Sequence, residues 1–409
     1  MNKALSYPCL VLLSVTVMVA LAGLCSCQKE EGMTSEISRI PIRFSCVPVE
    51  VTTKADASYI KDETIPQDQH FAVYAWDTGS SFLTDNPVAA SGSPSFMSAL
   101  NVTFQNNDDK GKNNTYPGDY YWPLPEAGAY NYSFLAYYPL ADGSGITAPV
   151  FSSGNVGSYA FTAKDNASAM VDFCVSDVAN DVIYGNGYTY SSFPGTVGLT
   201  FHHTLTRVRF KFIKAKDVDD DTHIYIDDIK LLNVRKRGTL TVGYAQPDAP
   251  GHGHPGTTSF TWSTDPDSYK PSPSEPQVPY ELTINGEDPV PDTNPVELMK
   301  DAETTVSDSE VFLMIPQKIW KTDEPEGDPS PQKISLIWRV GDDVQPNAIL
   351  TLDECVKAVG SHENAGISEW RPNMSVLYTI VIKAKPIEFS IVATIEEWRD
   401  ENGYVSIIP

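Results

Sequence analysis

The sequence predicts an all-β protein, and three observations carry that prediction. Alternating apolar and polar residues recur along the chain with the two-residue period of strands that bury one face. Tyr, Phe, Val and Thr are plentiful and 31 prolines punctuate the chain, as expected for short strands joined by turns. No stretch sustains the period of a helix, and the strand signals are spaced as in a β-sandwich. At 409 residues the chain exceeds one ordinary core, so two domains are expected.

The first residues read as an address. Lys3 precedes an apolar run from Cys9 to Leu24, shorter than the roughly 20 residues of a membrane-spanning helix. Residues 1–26 are therefore expected to be a signal peptide. Leu24-Cys25-Ser26-Cys27 resembles a bacterial lipobox, with Leu three before Cys27 and a small residue just before it. Cys27 would be acylated and become the mature N-terminus, holding the protein to the outer membrane through lipid. Cys25 fits less well, because Leu24 would take the small-residue position. Residues 27–39 form a polar tether.

Ile40 to Ala55 then organises the rest. Ile40, Ile42, Phe44 and Cys46 alternate with Pro41, Arg43 and Ser45, and past Cys46 the apolar set shifts to Val47, Val49 and Val51. A bulge at Cys46-Val47, beside Pro48, accounts for the change of phase. Thr52-Thr53-Lys54-Ala55-Asp56 has the short polar character of an exposed protease site, with Lys54 and Ala55 flanking the bond.

In the first domain, expected over residues 40–195, a strand is predicted over His70–Trp76, ending in a turn at Asp77-Thr78-Gly79. Phe96-Met97 and Val102-Thr103-Phe104 are weaker apolar signals. Tyr130, Tyr132, Phe134 and Ala136 share one face of a half-buried strand, and Val171–Val175 is a further short strand or turn. Ser191–Val197, with Pro194 and Gly195, reads as a linker into a second domain over residues 196–409. There Val208, Phe210 and Phe212 alternate with Arg207, Arg209 and Lys211. Strands follow near 224–231, 238–242, 310–317, 334–340, 376–382 and 387–395, and the Pro- and Gly-rich residues 246–279 read as an exposed excursion.

Composition and motifs exclude several functions. Lys plus Arg number 29 against 53 Asp plus Glu, a formal charge of −24, so no basic patch is available to hold nucleic acid. No G-x-S-x-G, H-E-x-x-H, phosphate loop or dinucleotide fingerprint occurs, and neither an enzyme nor a cofactor is expected. His202-His203 are strand neighbours pointing to opposite faces, one expected packed and one exposed, which makes a poor joint metal site. His252-Gly253-His254 supports only an adventitious metal contact. Asp217–Asp221 lacks the Gly and Glu of a calcium loop and reads as a solvated acidic turn. Cys46, Cys174 and Cys355 match no metal spacing and are expected to be small buried hydrophobes. Trp76, Trp122, Trp262 and Trp320 could stack on sugars if exposed, which keeps a surface-anchored, non-polymerising glycan-binding lipoprotein as the alternative.

In order, the lipobox, Ile42-Arg43-Phe44, Phe71–Trp76, Tyr121-Trp122-Pro123, Tyr132–Pro139, Leu199–Val208, Phe312–Gln317 and Trp370–Ile382 resemble the fimbrillin family of Bacteroidales lipoproteins. The resemblance implies two tandem transthyretin-like β-sandwich domains and a subunit of a surface fimbria. Its partners would be other fimbrial subunits and a host or bacterial surface ligand. It also implies removal of the first strand by cleavage after a basic residue, here Lys54 where processed stalk subunits usually carry Arg. A neighbour's donor strand would then fill the groove. Ile387, Phe389, Ile391, Ala393 and Ile395 alternate as a donor strand should, and equally as a resident last strand would.

Overall fold

The alternation read in the sequence becomes a set of open sheets. The computed structural model describes residues 39–46, 68–79, 92–105, 114–123, 131–141, 143–184, 189–190, 193–245, 256–265, 281–283, 296–298, 303–305, 311–320, 331–353, 367–383 and 388–396. Cys27, Lys54, Ala55, Ile387, Cys355 and the pair His252 and His254 lie outside them. Among the described residues no α-helix occurs, and a short 3-10 turn at Ala167–Ala169 is capped by the Asn166 side chain.

One sheet orders Phe201–His203, Cys174–Ser176, Asn131–Tyr138, His70–Gly79 and Met97–Thr103, with Ala179–Val182 also on Asn131–Tyr138. The first strand, Arg43–Cys46, lies parallel to Phe193–Leu199, whose other edge carries Thr189–Tyr190. A four-stranded sheet joins Thr257–Thr264, Arg237–Ala245, Asn155–Thr162 and Val150–Ser152. Toward the C-terminal end, Ile224–Leu232 pairs with Lys333–Val340. Thr206–Lys214 runs parallel to Met374–Lys383, and Glu388–Glu396 closes that sheet's edge.

Asn131–Tyr138 is buried along its whole length, where one exposed face was expected. Phe134, on one face, meets Phe44 edge-on at 5.8 Å. Tyr137, on the other, stacks with Tyr74 at 6.2 Å and meets Tyr159 at 5.2 Å. Aromatic residues on both faces let one strand serve two layers. Each such ring contributes about 1.5–3 kcal/mol by burial.

Three further expectations are corrected. The strand beginning at His70 continues through Asp77 and Thr78 to Gly79, where a positive φ of 77° suits glycine. The expected linker is a strand, Phe193–Leu199, with Thr196 and Val197 buried. The position between residues 195 and 196 therefore falls inside a paired element. Thr257–Thr264, expected within an exposed excursion, pairs along its length with Arg237–Ala245. That same strand pairs on its other side with Asn155–Thr162, so one sheet draws strands from both halves. Among the described residues an apolar cluster with members in both halves runs from Ala72 through Phe210 to Ile391.

Candidate functional site

The first strand sits in a groove built for alternate side chains. Ile42 and Phe44 are wholly buried and Cys46 is 1% exposed. Phe44 packs edge-on against Phe134 and, at 6.0 Å, Tyr116. Trp122, at the groove's floor, meets Phe134 at 6.4 Å and donates its indole N–H to the Gly195 carbonyl at 2.9 Å. On one edge the strand pairs with Thr196–Leu199 in four-residue parallel register, the weaker of the two ladder geometries. On the other, the Ile42 N–H donates to the Tyr120 carbonyl at 2.9 Å. The Asn114 amide donates to the Phe44 carbonyl at 2.7 Å, and the Tyr116 hydroxyl donates to the Ile42 carbonyl. The Ser45 hydroxyl is buried and makes no hydrogen bond among the described residues, which costs about 1–3 kcal/mol. Strong side-chain packing and a short, imperfect ladder therefore coexist.

The last described strand, Glu388–Glu396, pairs antiparallel with Met374–Lys383 over nine positions. Ile391 is buried, and Phe389 and Ala393 are half-buried against the core. Phe389 meets Trp338 edge-on at 5.2 Å. The backbone of Ile395 pairs with Val376. Among the described residues the strand is a terminal one in its sheet order, with no strand on its outer ladder.

A second constellation surrounds the paired histidines. Phe201–His203 lies antiparallel to Cys174–Ser176, with His203 opposite Cys174 and His202 opposite Val175. Both histidines are buried, correcting the expectation that one is exposed. The Thr257–Thr264 strand supplies the cover: the rings of His202 and Phe260 are 5.3 Å apart, and the Trp262 indole donates to the Thr204 carbonyl at 2.7 Å. His202 Nε2 meets Asp177 at 3.0 Å, and His203 Nδ1 meets the wholly buried Asp172 at 2.5 Å. Cys174 Sγ lies 3.5 Å from that same His203 nitrogen. A cleft of about 530 Å³ opens beside these residues, lined by Asp177, His202, His203, Thr258, Phe260 and Asn373 among others.

Sequence reading missed the grouping of Asp172, Cys174 and His203. The Asp-x-Cys spacing places two side chains on one face of an extended chain, but only the register brings His203 opposite. Cys46 and Cys174 are buried without a disulfide, as expected. Trp76 and Trp122 are buried, Trp262 and Trp320 half-buried. Trp320 is covered by the Lys318 ammonium at 4.4 Å and the Arg235 guanidinium at 5.3 Å. The acidic turn at 217–221 is exposed apart from Val218.

Open all-β sheets, a first strand seated in an aromatic groove and a last strand at a sheet edge define a β-protein that pairs strands. The chain belongs to the Fimbrillin-like family, whose model matches residues 53–398, and the family is one of fimbrial proteins and not of enzymes. Among solved structures, it is similar to a fimbrial protein from Bacteroides vulgatus at 16% identity. That match covers 88% of this chain and 99% of the other, with a TM-score of 0.47. A fimbrilin from Porphyromonas gingivalis matches at 9% identity over 91% of this chain and 98% of its own, with a TM-score of 0.40. The tip fimbrial protein of Porphyromonas gingivalis matches at 13% identity over 81% and 95%, with a TM-score of 0.34. A search of curated proteins found no match.

Proposed function

We propose that the protein is a structural or adhesive fimbrial subunit, exported as a lipoprotein on Cys27 and assembled by strand exchange after cleavage at Lys54-Ala55. The observation that carries this reading is the first strand: three alternate side chains fill an aromatic groove that would stand empty without them. Losing Phe44 alone from such a site exposes a cavity worth about 3–5 kcal/mol, and a complementary strand recovers that free energy. The donor we assign is the last strand. In sequence, Phe389 flanked by Ile387 and Ile391 matches Phe44 flanked by Ile42 and Cys46, in whichever direction the donor enters. Main-chain pairing would give affinity, and these three side chains the specificity. The reading places two sandwich domains on either side of the residues near 195, joined by the sheet they share.

A surface lipoprotein that binds glycans without polymerising is the second reading, and half-buried Trp262 and Trp320 are what remains to support it. Limited proteolysis of the unlipidated protein with a Lys-specific protease separates the two. Cleavage at Lys54 followed by a heat-resistant ladder on a non-boiled gel, abolished by Lys54→Ala and by Phe389→Asp, is the expected result. A chain cut at Lys54 that stays monomeric rejects strand exchange.

A further inference from the structure

We propose that Asp172, Cys174 and His203 form a binding site for one zinc-class divalent transition-metal ion. Strand geometry builds the group: Asp172 and Cys174 are two residues apart on one chain, and His203 is the cross-strand partner of Cys174. Thr204 fixes this register, donating both its N–H, at 2.9 Å, and its hydroxyl, at 2.6 Å, to the Phe173 carbonyl. The ligand atoms of the three residues lie within 4.8 Å of one another, and all three side chains are buried. Carboxylate, thiolate and imidazole are the donor set that zinc takes.

Two observations favour a metal over the alternatives. Both the carboxylate and the sulfur approach the same imidazole nitrogen, Nδ1. A nucleophilic Cys-His-Asp relay needs the thiol on one ring nitrogen and the carboxylate on the other, so this arrangement does not build one. Convergence on one point is what a cation requires. Around a tetrahedral zinc, bond lengths put sulfur and nitrogen about 3.5 Å apart and oxygen and nitrogen about 3.3 Å apart. The first distance is already present, and the second needs Asp172 to withdraw by less than an ångström.

The second observation is the carboxylate itself. Asp172 is wholly buried, and apart from its ion pair with His203 neither oxygen accepts a hydrogen bond among the described residues. Burying a charge with one partner is costly. A divalent cation would compensate the carboxylate and a Cys174 thiolate together. Binding as a thiolate releases the Cys174 thiol proton to solvent, so affinity rises with pH. Of the three ligands, His203 also lines the cleft.

The test is titration of the chelator-stripped, unlipidated full chain with Zn²⁺ and with Co²⁺. We expect one equivalent of Zn²⁺, a thiolate-to-cobalt charge-transfer band, and a melting temperature raised by Zn²⁺. Cys174→Ser should remove the band, and Asp172→Asn should keep it while weakening binding at least ~10-fold. Cys355→Ser, which leaves all three ligands in place, should change neither. A folded wild-type chain that shows no charge-transfer band overturns the proposal whatever the variants do. So does a band that persists in Cys174→Ser.

Discussion

At the scale of single residues, Tyr116 holds the first strand by a bond that alkali should break. Burial pushes its hydroxyl up to about 12; Arg43 opposes the rise, and Tyr121, Asp119 and Tyr120 add to it. An unfolded tyrosine titrates near ~10, so the folded state favours the neutral hydroxyl that donates to the Ile42 carbonyl. That contribution is fully present below pH ~10 and is lost as pH rises through about 12. Denaturant midpoints of the wild-type chain and Tyr116→Phe should differ by about 1 kcal/mol at pH 8 and converge toward pH 12. A difference independent of pH would mean the hydroxyl does not hold the strand. Sequence alone puts Ile40, Ile42, Phe44 and Cys46 on one inward face, because period-two alternation reports directly which face is inside; the last three are buried and Ile40 is half-buried. It could not identify Tyr116 or Asn114. Their contact with the strand crosses some 70 positions of chain, and no local pattern encodes such a distance.

Among the elements, strands were the most legible and their surroundings the least. Met374–Lys383 and Glu388–Glu396 lie where alternation puts them, and His70–Gly79 begins where a strand is expected. Asn131 and Ser133 read as the polar face of a half-buried strand in Asn131–Tyr138, yet both are buried. The Ser133 hydroxyl is satisfied there by Asn180. Phe193–Leu199 was hidden by Pro194 and Gly195, residues that ordinarily break a strand. Here Gly195 adopts a φ of 92° and its carbonyl accepts from Trp122, so the breaker serves the groove. The last strand yields the element-scale prediction. Because Ile391 is buried at the edge of its own sheet, Ile391→Ala should lower the stability of the uncut monomer by about 2 kcal/mol, toward the low end for a core truncation. Equilibrium denaturation measures this directly. An unchanged midpoint would show that the strand is not seated in the monomer and is held ready elsewhere.

At the scale of the molecule, the question is whether two sandwiches fold separately. Length and a Pro-Gly break argued for a division near residue 195, because sequence reports local punctuation and not long-range pairing. The sheet containing Asn155–Thr162 and Arg237–Ala245 argues for coupling, since it pairs six positions across that division. Leu240 is buried opposite the wholly buried Tyr159 at its centre. The apolar core is likewise continuous across both halves. Neither half could unfold without stripping the other of a sheet neighbour and of core contacts, which links their free energies. Calorimetry should therefore show one transition, with a calorimetric to van't Hoff enthalpy ratio near ~1. Leu240→Ala, costing about 3 kcal/mol, should shift that single peak downward without splitting it. Amide exchange should then accelerate together in Asn131–Tyr138 and Met374–Lys383, strands that lie on opposite sides of the shared sheet in sequence. Two resolved transitions, with only one of them moved by Leu240→Ala, would establish independent domains. A fimbrial subunit would gain from the coupled design: tension applied at one end would be carried by paired strands and not by a loose linker.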